Sequence, residues 1–77
     1  MRKIRHRGPL PGNLREVLFE FRHVGTSLRV SAIDPDTLTE VTLVADPRTS
    51  EEELKRVAAR KLHYVIQKKR QTPKPEY

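Results

Sequence analysis

The stretch EVLFEFRHVGTSLRVSAI, from Glu16 to Ile33, decides the fold because it alternates apolar and polar residues on both sides of a Gly-Thr pair. Aromatic and β-branched residues at a period of two are typical of half-buried strands. Glycine at the first central position suits a two-residue type II′ turn. Pairing Val24 with Ser27 puts the apolar residues of both strands on one face, as a one-sided core requires. The stretch therefore predicts a β-hairpin.

A third strand follows the turn Asp34-Pro35-Asp36-Thr37, in which proline fixes φ and aspartate can accept hydrogen bonds from nearby backbone. The strand is predicted at Thr39 to Val44. Pairing Ile33 with Glu40 places the apolar residues of this third strand on the same sheet face as the apolar residues of the hairpin. Three strands therefore share one predicted register.

A helix is predicted after Pro47, because Ser50 and Glu53 form an S-x-x-E capping box. The triplet Glu51-Glu52-Glu53 occupies the first turn, where the helix dipole favours acids, and Lys68-Lys69-Arg70 the last, where it favours bases. Between them runs an apolar stripe at helical spacing, formed by Leu54, Val57, Ala58, Leu62, Val65 and Ile66. The predicted fold class is α+β: a three-stranded antiparallel sheet with one face covered by a single C-terminal helix (β-β-β-α), flanked by disordered basic tails.

Charge and composition divide the chain into three parts. Residues 1–15, 16–66 and 67–77 carry net charges of +5, −2 and +3, which make up the total of +6. Proline and glycine are frequent near the N-terminus, and two prolines oppose helix near the C-terminus. We expect a flexible basic arm at 1–13, a single β-β-β-α domain at 14–70 and a disordered tail at 71–77.

Catalytic and metal sites are not predicted. The chain has no cysteine and no catalytic signature, and its three histidines are widely spaced. Helix-dipole complementation explains the glutamate triplet better than metal binding does. No stretch resembles a signal peptide or a membrane span. We therefore expect no enzyme, no cofactor, no metal, no small-molecule substrate and no membrane contact, and a cytoplasmic location.

The basic ends are the strongest functional signal, because cations on a flexible segment can neutralise phosphates and release counterions. The predicted register also sets Arg22 opposite Arg29, and like charges across strands are destabilising unless Glu20 or a bound anion relieves them. The exposed helix cations are either a solvated face or phosphate contacts. The candidate nucleic-acid or anion-binding residues are Arg2, Lys3, Arg5, Arg7, Arg22, Arg29, Arg56, Arg60, Lys68, Lys69 and Arg70.

The outer sheet face supplies the alternative. It is predicted to expose more apolar residues than a solvated face needs, which suggests cover by a partner or a second copy. These candidate protein-interface residues are Leu18, Val24, Ile33 and Val44. The leading hypothesis is a small non-enzymatic adaptor that binds RNA, DNA or a ribonucleoprotein particle through its basic arms. The alternative is a protein-interaction or oligomeric subunit that docks through the outer sheet face or a sheet edge.

Several core segments together resemble a known family. They are EVLFEFR from Glu16, Val24-Gly25, VSAIDP from Val30, TEVT from Thr39, ARKL from Ala59, and Tyr64-Val65. Over residues 16–69 the chain resembles a family of short uncharacterised alphaproteobacterial proteins. The family has no established activity, so the resemblance implies a fold and assigns no functional residue. Leu38 stands where glycine is common in that family, and the basic arms lie outside the resemblance.

Overall fold

The computed structural model describes residues 1–71, with side chains to residue 69. Within this range the chain forms an antiparallel four-stranded sheet in the order β1-β2-β3-β4, and the C-terminal helix packs on one of its faces. The α+β class and the covering helix are thus confirmed. The elements are β1 (Arg2–His6), β2 (Val17–Val24), β3 (Ser27–Asp34), β4 (Thr39–Ala45) and α1 (Glu51–Gln71).

The prediction of three strands was wrong, because the segment expected to be a flexible arm supplies a fourth. Strand β1 pairs with β2 so that Arg2 lies opposite Phe21 and His6 opposite Val17. An unpaired strand edge offers a row of free N–H and C=O groups, and β1 satisfies those of β2. Ile4 adds one apolar anchor against the core.

The predicted register of the other strands is confirmed residue by residue. Arg22 lies opposite Arg29 across β2 and β3, and Ile33 lies opposite Glu40 across β3 and β4. The turn residue Gly25 has φ +61°, whereas Thr26 has no positive φ. A type I′ turn needs positive φ at both positions, so the type II′ prediction is the one that fits.

The core lies between the inner sheet face and α1. Phe19, Val30 and Leu62 are fully buried, and the remaining core residues continue the two periodicities seen in the sequence. Two positions on the helix differ from the expected apolar stripe, since Val57 is 44% exposed and Ala59 is buried. At the start of the helix, the Ser50 hydroxyl accepts a hydrogen bond from the Glu53 amide at 3.2 Å, as the capping box predicts.

The loop between β1 and β2 is folded onto the helix. Leu10 and Leu14 pack against the core, and the Leu14 amide donates to the Pro11 carbonyl at 3.2 Å. Gly12 has φ +58° and lies against the His63 ring of α1. The loop therefore holds the N-terminal segment on the domain by its own contacts, in addition to the pairing of β1.

The turn between β3 and β4 is built around the buried side chain of Asp34. Its carboxylate accepts hydrogen bonds from the Asp36 amide at 3.0 Å and the Thr37 hydroxyl at 2.8 Å. The Asp34 carbonyl accepts a further bond from the Leu38 amide at 2.7 Å. Leu38 itself has φ +59° and is 81% exposed. It thus occupies a left-handed conformation that favours glycine.

Candidate nucleic-acid interface

The basic residues of β1 point to both faces of the sheet, because successive strand residues alternate. Arg2 lies on the helix side, with its guanidinium carbon 5.8 Å from the centre of the Phe21 ring. Lys3 and Arg5 lie on the outer face, opposite Glu20 and Leu18. The arm expected to present its cations together therefore divides them between two surfaces.

Each of the four basic residues in the N-terminal segment is paired with an acid of the domain. Exposed pairs of this kind contribute only about 0–1 kcal/mol each, but their three carboxylates offset most of the positive charge of the four basic residues. The first seven residues are therefore a poorer anion-binding surface than their sequence indicates. The pairs are Arg2 with Glu51, Lys3 with Glu20 at 3.9 Å, and Glu16 with both Arg5 at 2.7 Å and Arg7 at 3.5 Å.

The charges of the facing pair Arg22 and Arg29 are not offset by an ion pair among the described residues. Both side chains are exposed on the outer sheet face, and neither makes an ion pair within the part of the chain that the structure describes. Glu20, the acid expected to relieve them, is paired with Lys3 instead. The two arginines border a shallow depression of about 310 Å³, whose other lining residues are Glu20, Ser31, Glu40 and Thr42.

Helix α1 carries a long row of cations. From Leu54 to Lys69 it has six basic residues and no acid. Lys55 is largely buried and pairs with Glu52 at 3.1 Å. Among the described residues, neither Arg56 nor Arg60 has an ion-pair partner, and both are exposed.

Three further lysines follow Arg60 along α1. The Lys61 ammonium donates to the Thr42 carbonyl of the edge strand β4 at 3.3 Å. The Lys68 ammonium lies 5.9 Å from the centre of the exposed Tyr64 ring. Lys69 is exposed. The predicted candidate Arg70 falls outside the described side chains.

A groove runs between the N-terminal loop and the first half of α1. It encloses about 270 Å³. Its floor includes the buried Phe19 and Ala59, and Arg56 and Arg60 stand at its rim. The other lining residues are His6, Pro9, Leu10, Pro11, Glu52 and Lys55. Sequence patterns alone did not indicate this groove, because one of its walls belongs to the segment predicted to be a flexible arm.

The four apolar candidates on the outer face do not form one patch. Leu18 and Ile33 are half-buried neighbours across β2 and β3. Val24 and Val44, which are 43% and 65% exposed, lie toward the other end of the sheet. The polar row containing Ser31 separates the two groups. The structure thus places no continuous apolar surface at these residues.

The exposed Arg48 forms an ion pair with Asp46, two residues before it in the sequence. The Arg48 guanidinium donates to Asp46 at 2.9 Å from Nη2, and its backbone amide donates to the same carboxylate at 2.8 Å. These bonds, the side-chain one first, lower the pKa of Asp46 below its ordinary value of 3.8. The same side-chain bond raises the pKa of Arg48. Arg48 therefore serves as a reference for a surface arginine whose charge is already balanced.

Two other kinds of site are absent from the described residues. No three His, Asp or Glu side chains there come close enough to hold a metal ion. The helix is neither apolar enough nor free enough of charge to cross a membrane.

Together these features define a small α+β domain with a helix on one sheet face and cations on both sides. The chain belongs to the family described as Domain of unknown function (DUF6898), whose model matches residues 14–69, more than half of the chain. This match confirms the prediction that the core belongs to an uncharacterised family. Strand β1 lies before the matched region. No curated protein and no solved structure is significantly similar to the chain.

Proposed function

We propose that this protein is a small non-enzymatic adaptor that binds nucleic acid, either free or within a ribonucleoprotein particle, chiefly through helix α1. The observation that carries the proposal is the row of helix cations, which has no acid after Glu53. Within this row, Arg56 and Arg60 have no acidic partner among the described residues, so each can neutralise a phosphate and release its counterion with no competing pair to break. The N-terminal cations, by contrast, already have partners.

The facing pair Arg22 and Arg29 supports a second contact. It lies on the outer sheet face, while Arg56 and Arg60 lie on the helix that covers the inner face. Two cationic sites on different sides of a small domain suit a molecule that joins two anionic segments. This arrangement is the reason for proposing an adaptor instead of a binder with one contact surface.

The test compares two charge-matched double variants by fluorescence anisotropy with a labelled single-stranded oligonucleotide over a series of salt concentrations. Arg56→Gln/Arg60→Gln removes two cations that have no acidic partner among the residues that the structure describes. Arg7→Gln/Arg48→Gln removes two that are ion-paired. We expect the first variant to weaken binding and to reduce the salt slope by about 1.4, at roughly 0.7 per phosphate contact. The second should change both quantities much less.

Two results would refute the proposal. The first is the absence of binding to any nucleic acid at low salt, or binding that does not depend on salt. The second is an equal effect of the two double variants, which would mean that net charge alone matters and that the helix is no specific surface.

The alternative is a protein-interaction or oligomeric subunit. One observation favours it: β4 is an edge strand of the sheet, no strand of the described chain pairs with its free edge, and its Val44 is 65% exposed. Such an edge can accept a strand from a partner. Lys61, which donates to the Thr42 carbonyl on this strand, would have to move first. A monomer by light scattering would exclude a stable homodimer. A pull-down with and without nuclease would separate protein partners from nucleic acid.

We also propose a cytoplasmic location in an alphaproteobacterium. The absence of cysteine suits a reducing compartment, and the resemblance of the core suggests the source. Fractionation of the native cell tests the location directly.

A further inference from the structure

We propose that the groove between residues 9–11 and α1 receives one unpaired base of a single-stranded nucleic acid, with the neighbouring phosphates bound by Arg56 and Arg60. This inference rests on the proposed function and specifies the form of its ligand. It assigns a base-binding role to a cavity that charge patterns alone do not indicate.

The interior of the groove is suited to a flat apolar group. Phe19 and Ala59 in its lining are 1% and 3% exposed, and the loop from Pro9 to Pro11 forms a wall of two prolines and a leucine. The volume of about 270 Å³ lies just below the range of roughly 300–1,000 Å³ typical of small-molecule sites. It therefore suits a single ring system better than a larger cofactor.

The rim of the groove selects for an anion next to that ring. Arg56 and Arg60 lie one helical turn apart, about 6 Å along the axis, so both can reach the same strand. The only acid in the lining, Glu52, is paired with Lys55 at 3.1 Å, which leaves the two arginines to set the charge of the rim. An apolar slot beside two cations matches the base and phosphates of one nucleotide.

His6 gives the groove a ring that a base can contact. Its imidazole packs against Phe19 with ring centroids 6.2 Å apart and also lines the cavity. Stacking of one base on an aromatic side chain contributes about 1–3 kcal/mol, equivalent to roughly 5- to 150-fold in affinity. A base inside a duplex can reach such a slot only by leaving its stack, so single strands should be preferred.

The experiment uses the full chain and three labelled probes: an oligothymidylate 12-mer, an abasic strand of the same length and charge, and a 12-base-pair duplex. We expect the 12-mer to bind about tenfold more tightly than the abasic strand, which has the same phosphates but no base to insert. The variant His6→Ala should reduce this ratio while leaving the affinity for the abasic strand unchanged.

The outcomes separate this inference from the proposed function. Equal affinity for the 12-mer and the abasic strand would overturn base insertion but leave phosphate binding intact. No binding to any probe would overturn the proposed function. Should His6→Ala disturb β1, amide shifts of the wild type with thymidine monophosphate decide the matter. Shifts centred on Leu10 and Ala59 support the groove, and shifts confined to Arg22 and Arg29 or no shifts overturn it.

Discussion

Replacing Gly12 with alanine tests whether the N-terminal loop is docked on the helix. Gly12 has φ +58°, and a Cβ at this position would lie 2.5 Å from Nδ1 and 2.8 Å from Nε2 of His63. The turn glycine Gly25 provides a matched control. Its φ is +61°, but a Cβ there would meet no atom within 4 Å. Both glycines have a positive φ that alanine disfavours, and only at Gly12 would the new Cβ displace a neighbour.

The expected magnitudes follow from this difference. A non-glycine residue in the left-handed region costs about 1–2 kcal/mol, offset by roughly 0.4–1 kcal/mol from the stiffer unfolded chain. Gly25→Ala should therefore cost about 1 kcal/mol. Gly12→Ala must also push the His63 ring out of its rotamer, which adds about 0.5–1.5 kcal/mol. For a domain of this size, 1 kcal/mol corresponds to roughly 4–8 °C in Tm, so the two variants should differ measurably.

Thermal and urea denaturation, followed by circular dichroism, provide the measurement. The double variant Gly12→Ala/His63→Ala completes the test, because without the ring Gly12→Ala should cost no more than Gly25→Ala. An unchanged cost of Gly12→Ala in the His63→Ala background would refute the reasoning. It would mean that the loop around Gly12 is not docked on the His63 ring, whatever the pairing of β1.

Two further predictions concern the turns that flank β4. Leu38→Gly should stabilise the protein by about 0.5–1 kcal/mol, because it relieves a left-handed leucine whose side chain is 81% exposed and packs on little; an unchanged or lower Tm would contradict this. In an NMR titration, the carboxyl of Asp46 should have a pKa below 3.8, and this pKa should rise toward the ordinary value in Arg48→Gln, which loses the side-chain bond but keeps the backbone amide donor. A lowered pKa stabilises the folded state above pH 3.8, and this contribution is lost as pH falls through the lowered pKa. The unfolding free energies of wild type and Arg48→Gln should therefore converge in acid, and a constant difference would show that the pair does not act through this ionisation.

The hairpin and its neighbours were predictable because their information is local. Alternation fixed which side chains of β2 and β3 share a face, and a short turn fixed the register, so the opposition of Arg22 and Arg29 followed directly. The start of α1 was likewise predictable, since Ser50 and Glu53 form their capping contact within one turn.

Strand β1 was not predictable in the same way. Its sequence, Arg-Lys-Ile-Arg-His, has a single apolar residue and therefore no amphipathic alternation. Its position depends on the free edge of β2 and on acids as distant in sequence as Glu51. Because the groove borders this segment, its recognition also required the three-dimensional arrangement. The cationic helix was visible in the sequence, but the pairing of Lys55 with Glu52 and the exposure of Arg56 and Arg60 were not.

The ion pairs of the N-terminal segment have an evolutionary consequence. The basic residues lie before the region matched by the family model, whereas their partners Glu16, Glu20 and Glu51 lie inside it. At Glu16 and Glu20 an acid is therefore useful mainly when a basic strand is attached to β2, whereas Glu51 also complements the dipole of α1. Among related chains, Glu16 and Glu20 should co-vary with the presence and charge of that strand. An alignment in which they vary independently of it would indicate that the strand was added to a surface not adapted to hold it.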